Sequence, residues 1–140
     1  RFIEKDGGKK SATFKYLKVL DTYETMMSEK GFEVSNGLRA AVLMTAMFRA
    51  AKKDGAGRKI MQYMMQALKM PKATYFTAVL LMESTGRLAV SPKKGKQRFI
   101  YNRDFLDALD YNRIVLKAEK KSEKILNEWA DLYEEKGNKE

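Results

Sequence analysis

The sequence predicts an all-α fold, a single domain of about six helices packed as an irregular bundle. Three observations carry that expectation. Apolar residues recur every three to four positions through most of the 140-residue chain, the period of one helix face. No segment alternates apolar and polar convincingly, and β-branched residues are sparse, so strands are not expected. Only two prolines occur, Pro71 at a helix start and Pro92 in a loop, so neither falls inside a helical pattern. The length suits one compact domain, read here as residues 1–140.

The first helix is read from "SATFKYLKVLDTYETMMSEKG". Phe14, Leu17, Leu20, Tyr23 or Glu24, and Met27 share one face, with Ser11 as N-cap and Gly31 as the C′ residue. "SNGLRAAVLMTAMFRAAKKDG" is apolar around most of its circumference from Leu38 to Ala51, so it is expected to be the central, most buried helix. Its alanines allow close approach of neighbours. Ser35 is expected to cap it and Gly55 to end it, with Lys52 and Lys53 complementing the dipole of the last turn.

A shorter helix follows in "GRKIMQYMMQALKM", with Ile60, Met64 and Leu68 on one face. Pro71 opens the next, "MPKATYFTAVLLMESTGRL", where Phe76, Val79, Leu80 and Glu83 or Arg87 form a stripe at helical spacing. Pro92 and Gly95 mark a loop. "QRFIYNRDFLDALDYNRIVLKAEKK" reads as a long helix with a break near Asn102 and an inner side of Phe105, Leu109, Tyr111 or Asn112, and Leu116. The last helix, "SEKILNEWADLYEEKG", turns Ile125, Leu126, Trp129 and Leu132 inward behind Ser122 as N-cap. The methionines and Trp129 read as core filling.

The charge is unevenly spread. Overall the chain carries +10, but residues 55–103 alone carry +9 and contain one acid, Glu83. Residues 104–140 carry −3. The segment "SPKKGKQRFIYNR" concentrates Lys93, Lys94, Lys96, Arg98 and Arg103 around Phe99 and Tyr101. Cations of one sign gathered on one face attract polyanions, and aromatics among them suit stacking on unpaired bases. A solvated loop with its aromatics buried is the competing reading.

Little else in the sequence points to catalysis. There is no histidine and no cysteine, which removes the commonest general base, the commonest metal ligand and any disulfide. "DGGKKSAT" lacks the spacing and the preceding strand of a phosphate-binding loop. Asp104, Asp107 and Asp110 recur along one helical stripe. A solvated face is expected there rather than a Mg²⁺ site, with Asp110 near enough to the core to partner a buried arginine. No apolar run is long enough for a membrane helix, no signal peptide opens the chain, and a cytoplasmic location is expected. The first residue is Arg1, so the sequence reads as a piece of a longer protein.

A family resemblance joins these features. "KMPKATYFTAVLLMESTGRLAVSPKKGKQR" followed by "DFLDALDYNRIVLKAE" resembles the C-terminal region of bacterial poly(A) polymerases, relatives of the tRNA CCA-adding enzymes. Met70-Pro71-Lys72 stands where the family opens a helix with an apolar-Pro-basic tripeptide. Arg87-Leu88 stands at its basic-apolar pair. Phe105, Ala108, Asp110 and Lys117-Ala118 match a Phe-x-x-Ala/Gly-x-Asp pattern and the helix end beyond it. "FKYLKVLD" and "GLRAAVLMTAMF" are similar to the two helices upstream. The sequence departs from the family in the helix after Pro71, where an aromatic and a glutamine are missing, and at Lys117, where an arginine is usual.

The resemblance implies a non-catalytic RNA-binding body and tail. The nucleotidyltransferase head, with its ATP and Mg²⁺, would lie in a separate N-terminal domain, and no cofactor is expected in residues 1–140. The implied partners are that head and RNA, as single-stranded 3′ ends or tRNA-like molecules, with no membrane. Lys93, Lys94, Lys96, Arg98 and Arg103 are the expected phosphate contacts, with Arg87, Lys72, Arg58 and Lys59 in support. Two other readings remain beside it: the tail of a CCA-adding enzyme, and a helical protein-interaction module with its methionines exposed. A third, "PKKGKQR" as a nuclear-import signal, sits poorly with a bacterial resemblance.

Overall fold

Helix α1 (Ala12–Glu29) stops where the sequence puts a glycine. Gly31 adopts φ +84°, its N–H bonds to the Ser28 carbonyl, and the N–H of Phe32 bonds to the Met27 carbonyl at 2.9 Å. That pair of bonds is a Schellman closure, which needs a left-handed residue at C′. The computed structural model describes residues 12–51, 66, 69–95 and 97–136. Ser11, Lys52, Lys53, Gly55 and nearly all of the short helix expected over residues 57–70 lie outside the described residues.

The described residues form five α-helices and one 3₁₀ turn, and no strand occurs among them. After α1 come α2 (Asn36–Ala51), α3 (Lys72–Leu88), the 3₁₀ turn Arg98–Tyr101, α4 (Phe105–Ala118) and α5 (Lys124–Glu135). Together they make a single compact helical domain.

Ser35 caps α2, its hydroxyl oxygen accepting the Leu38 N–H at 3.1 Å and donating to Asp107 of α4 at 2.9 Å. One side chain thus satisfies an orphan N–H and ties two helices together. As expected, α2 is central and packs on α1, α3 and α4. Ala40, Ala41, Val42, Met44 and Ala46 are buried in it. Gly37 shows how close the helices come: a Cβ there would meet Thr77 Cγ2 of α3 at 2.5 Å.

Three inner faces differ from expectation. On α1 Tyr16 is fully buried, its hydroxyl donating to Glu119 at 2.5 Å, while Leu17 is only half-buried; the side chain of Phe14 lies outside those described. On α3 the stripe of Phe76 and Leu80 points outward, Phe76 being 62% exposed. The buried face is Ala78, Leu81, Ser84 and Leu88. Small residues are chosen there because α2 lies so close, and Ser84 is tolerated because it is fully hydrogen-bonded. On α4 both Tyr111 and Asn112 are buried, since α1, α2, α3 and α5 surround that helix, and Leu116 is half-buried.

The chain does break near Asn102. Its side-chain oxygen accepts the Asp104 N–H at 2.8 Å, and α4 restarts at Phe105. Two helix starts shift by one position: Pro71 and Glu123 occupy the N-cap positions of α3 and α5, and Ser122 accepts the Lys124 N–H at 3.2 Å from one residue farther out. Leu126, Trp129 and Leu132 of α5 are buried as predicted. Each large apolar side chain fully buried contributes about 1.5–3 kcal/mol.

Candidate nucleic-acid interface

The basic segment is tied at two points to an aromatic cluster. At its start, the Trp129 indole N–H donates to the Val90 carbonyl at 2.8 Å. Nearer its end, Phe99 meets Phe105 edge-on with centroids 5.5 Å apart. Phe105 in turn lies 6.2 Å from Trp129 and stacks on Tyr133 at 5.4 Å. Trp129 and Tyr133 are four residues apart on α5, so they lie on one face of that helix. The segment from Val90 to Arg103 is therefore a strap tied to two buried aromatics, Trp129 at its start and Phe99 nearer its end.

The cations on this strap are exposed. Lys93, Lys94, Arg98 and Arg103 point to solvent, and the Arg103 side chain is 92% exposed. Among the described residues Lys93, Lys94, Arg98 and Arg87 make no ion pair, and Arg103 reaches only Asp104, at 4.0 Å. The C-terminal third behaves differently. There Arg113 and Lys117 both hold Glu123, at 2.9 and 3.0 Å, and Lys121 holds Glu119. Burial would raise the Glu123 carboxyl, but hydrogen bonds from Lys117 and Arg113 outweigh it and hold the group below its ordinary value.

The expected site residues are only partly brought together. Arg87 joins the strap: its guanidinium lies 4.9 Å above the Phe99 ring. Arg87 and Lys93 line one groove of about 430 Å³, with Glu83 at its edge and Trp129 behind. Arg98 is adjacent to Phe99 in the 3₁₀ turn. Arg103 opens onto a second cleft of about 310 Å³. Lys72 stands apart at the opposite end of α3, fifteen residues and roughly 22 Å from Arg87 along the helix axis. Lys96, Arg58 and Lys59 lie outside the described residues.

The two aromatics of the strap take opposite roles. A 3₁₀ turn has three residues per turn, so positions 98 and 101 eclipse on one side. Phe99 and Ile100 turn inward, leaving Arg98 and Tyr101 outside, with Tyr101 56% exposed against 7% for Phe99. The second cleft, beside Tyr101, is also lined by Leu106 and Tyr133, two residues the charge pattern did not single out.

The three aspartates do not converge; each has its own partner. Asp107 accepts from Ser35, Asp110 from Tyr23, and Asp104 faces Arg103. No group of three acidic, histidine or cysteine side chains suited to a metal occurs among the described residues. The partner of Asp110 is thus a tyrosine hydroxyl, not the buried arginine expected; the arginine nearest in effect, Arg113, is engaged by Glu123 and Asn127. Burial raises the Asp110 carboxyl above its ordinary value, and Tyr23 is pushed up by burial and by that carboxylate.

No helix among the described residues is long and apolar enough to cross a membrane. Comparison with protein-family models, curated proteins and solved structures found no match to this chain.

Proposed function

We propose that this domain grips single-stranded RNA along the strap from Val90 to Arg103. One observation carries the reading: exposed cations, of which Lys93, Lys94 and Arg98 make no ion pair among the described residues, on a segment tied at two points to a buried aromatic core, beside an exposed tyrosine. A segment already anchored at two points loses less loop entropy when a polyanion docks. Phosphate contacts hold RNA in position without reading its sequence. Arg87, Lys93, Lys94, Arg98 and Arg103 would make those contacts, with Lys96, Lys72, Arg58 and Lys59 extending them. The resemblance to poly(A) polymerases suggests the use: holding a 3′ end for AMP addition by a separate nucleotidyltransferase head that supplies ATP and Mg²⁺ chemistry, in the cytoplasm.

Gel-shift titration with labelled oligo(A), competed by unlabelled mixed-sequence RNA and by tRNA, tests the reading. Binding competed equally by oligo(A) and mixed-sequence RNA is expected. Preference for tRNA alone would favour the CCA-adding relative. No binding of any RNA at low salt would overturn the proposal and leave the helical protein-interaction module.

A further inference from the structure

The cleft of about 310 Å³ at the C-terminal end of the strap has features that phosphate neutralisation alone does not use. Tyr101 and Leu106 are both largely exposed large side chains, 56% and 49%, on its rim. Its inner wall is Phe105 stacked on Tyr133. Its volume is at the lower end of the range for small-ligand pockets. Cations flank the exposed ring: Arg98 is on the same side of the 3₁₀ turn, and Arg103 lies two residues beyond, its side chain 92% exposed and in reach of Asp104 only at 4.0 Å. An exposed aromatic face bordered by apolar walls and two guanidinium groups matches an unpaired base joined to its phosphates.

We propose that this cleft is a stacking subsite for one unpaired base of single-stranded RNA, with Tyr101 as the platform and Arg98 and Arg103 on the adjoining phosphates. The inference rests on the RNA-binding reading above and goes beyond it by assigning a contact to the base itself. Stacking is tolerant of sequence because every base has a π-face. The subsite therefore distinguishes RNA with bases from a bare sugar-phosphate chain, and unpaired strands from duplexes.

The test compares a labelled single-stranded RNA with an abasic sugar-phosphate oligomer of equal length, by fluorescence anisotropy at fixed salt. The proteins are the unmodified chain, Tyr101→Ala, Tyr101→Phe and the doubly substituted Lys93→Ala/Lys94→Ala. Tyr101→Ala is expected to weaken RNA binding by about 5- to 100-fold and to leave abasic binding unchanged. Tyr101→Phe keeps the ring and should stay within about twofold of the unmodified chain. The lysine double variant should weaken both ligands alike. Because Tyr101 is exposed, the melting curve of Tyr101→Ala should match that of the unmodified chain. Equal RNA affinity for Tyr101→Ala and the unmodified chain overturns the stacking subsite while RNA binding stands. Equal losses on both ligands also overturn it, since the base is then not what Tyr101 touches. An unmodified chain that binds no RNA overturns the RNA reading and the subsite with it.

Discussion

Trp129 and Val90 stand 39 positions apart and are joined by one hydrogen bond, indole N–H to carbonyl at 2.8 Å. The bond ties the start of the basic strap to the last helix, in a chain whose net charge changes sign between the two. Trp129→Phe keeps an aromatic ring in the core and removes the donor. It should cost at least about 1 kcal/mol in urea unfolding, the net worth of one hydrogen bond, with the smaller ring's cavity adding to it. Stability unchanged from the unmodified protein would mean that the strap is held from Phe99 alone.

Lys120 sits at φ +56° in the closure of α4, where the N–H of Lys121 bonds to the Leu116 carbonyl at 2.9 Å. This repeats the geometry at Gly31 with a side chain in the left-handed region. That conformation costs an L-residue roughly 1–2 kcal/mol, and glycine's extra freedom in the unfolded chain returns part of the gain. Lys120→Gly should therefore raise stability by about 0.5–1 kcal/mol in denaturant titration.

The contact between α3 and α4 contains a buried polar relay. Asn112 Nδ2 donates to Ser84 Oγ at 3.0 Å and to the Ala108 carbonyl at 2.8 Å, and the Ser84 hydroxyl donates to the Leu81 carbonyl. Ser84→Ala takes an acceptor from a buried amide and should cost about 1–2 kcal/mol. The double variant Ser84→Ala/Asn112→Ala should cost less than the two single losses added together, because the pair shares one bond. Strict additivity in the thermodynamic cycle would remove the relay as a coupled unit.

Asp110 and Glu123 pull acid stability in opposite directions. Burial raises the native Asp110 carboxyl, so below neutrality the folded state binds its proton more readily than the unfolded chain does. Its contribution is greatest at low pH and falls away as pH rises through the interval above 3.8, the ordinary value. The Glu123 carboxyl is lowered, so its contribution is present above 4.5 and lost as pH falls through the native value. Asp110→Asn keeps an acceptor for the Tyr23 hydroxyl and removes the buried charge. At pH 7 it should be at least as stable as the unmodified protein, whereas Asp110→Ala should lose about 1 kcal/mol. Melting temperatures between pH 3 and 7 separate the two. Tyr23 adds an alkaline limit: with its hydroxyl raised in the fold, stability should fall as pH climbs past 10.0.

The parts legible in the sequence were those fixed by local chemistry. Gly31, Ser35 and the break at Asn102 follow from backbone and cap rules acting over a few residues. The central place of α2 follows from apolar residues around most of its circumference. The inner face of α3 was hidden because Phe76 and Leu80 look like core, while the true face uses Ala78 and Ser84. Ser84 is acceptable there only because Asn112 arrives from another helix, a tertiary fact. The strap was visible as charge. Its attachment was not, since Trp129 to Val90 and Arg87 to Phe99 join distant positions. Nor could spacing alone separate Phe99 from Tyr101; that took the 3₁₀ geometry, which turns one in and the other out.

If the strap's cations neutralise RNA phosphates, RNA affinity must depend steeply on salt. Each such contact on a single strand contributes about −0.7 to the slope of log K against log salt. In Lys93→Ala/Lys94→Ala/Arg98→Ala the slope should therefore fall in magnitude by about 2, with similar losses for poly(A) and mixed-sequence RNA. The melting curve should shift little, because all three side chains are exposed. A folded triple variant that binds RNA with the slope and affinity of the unmodified chain would make the strap a solvated loop.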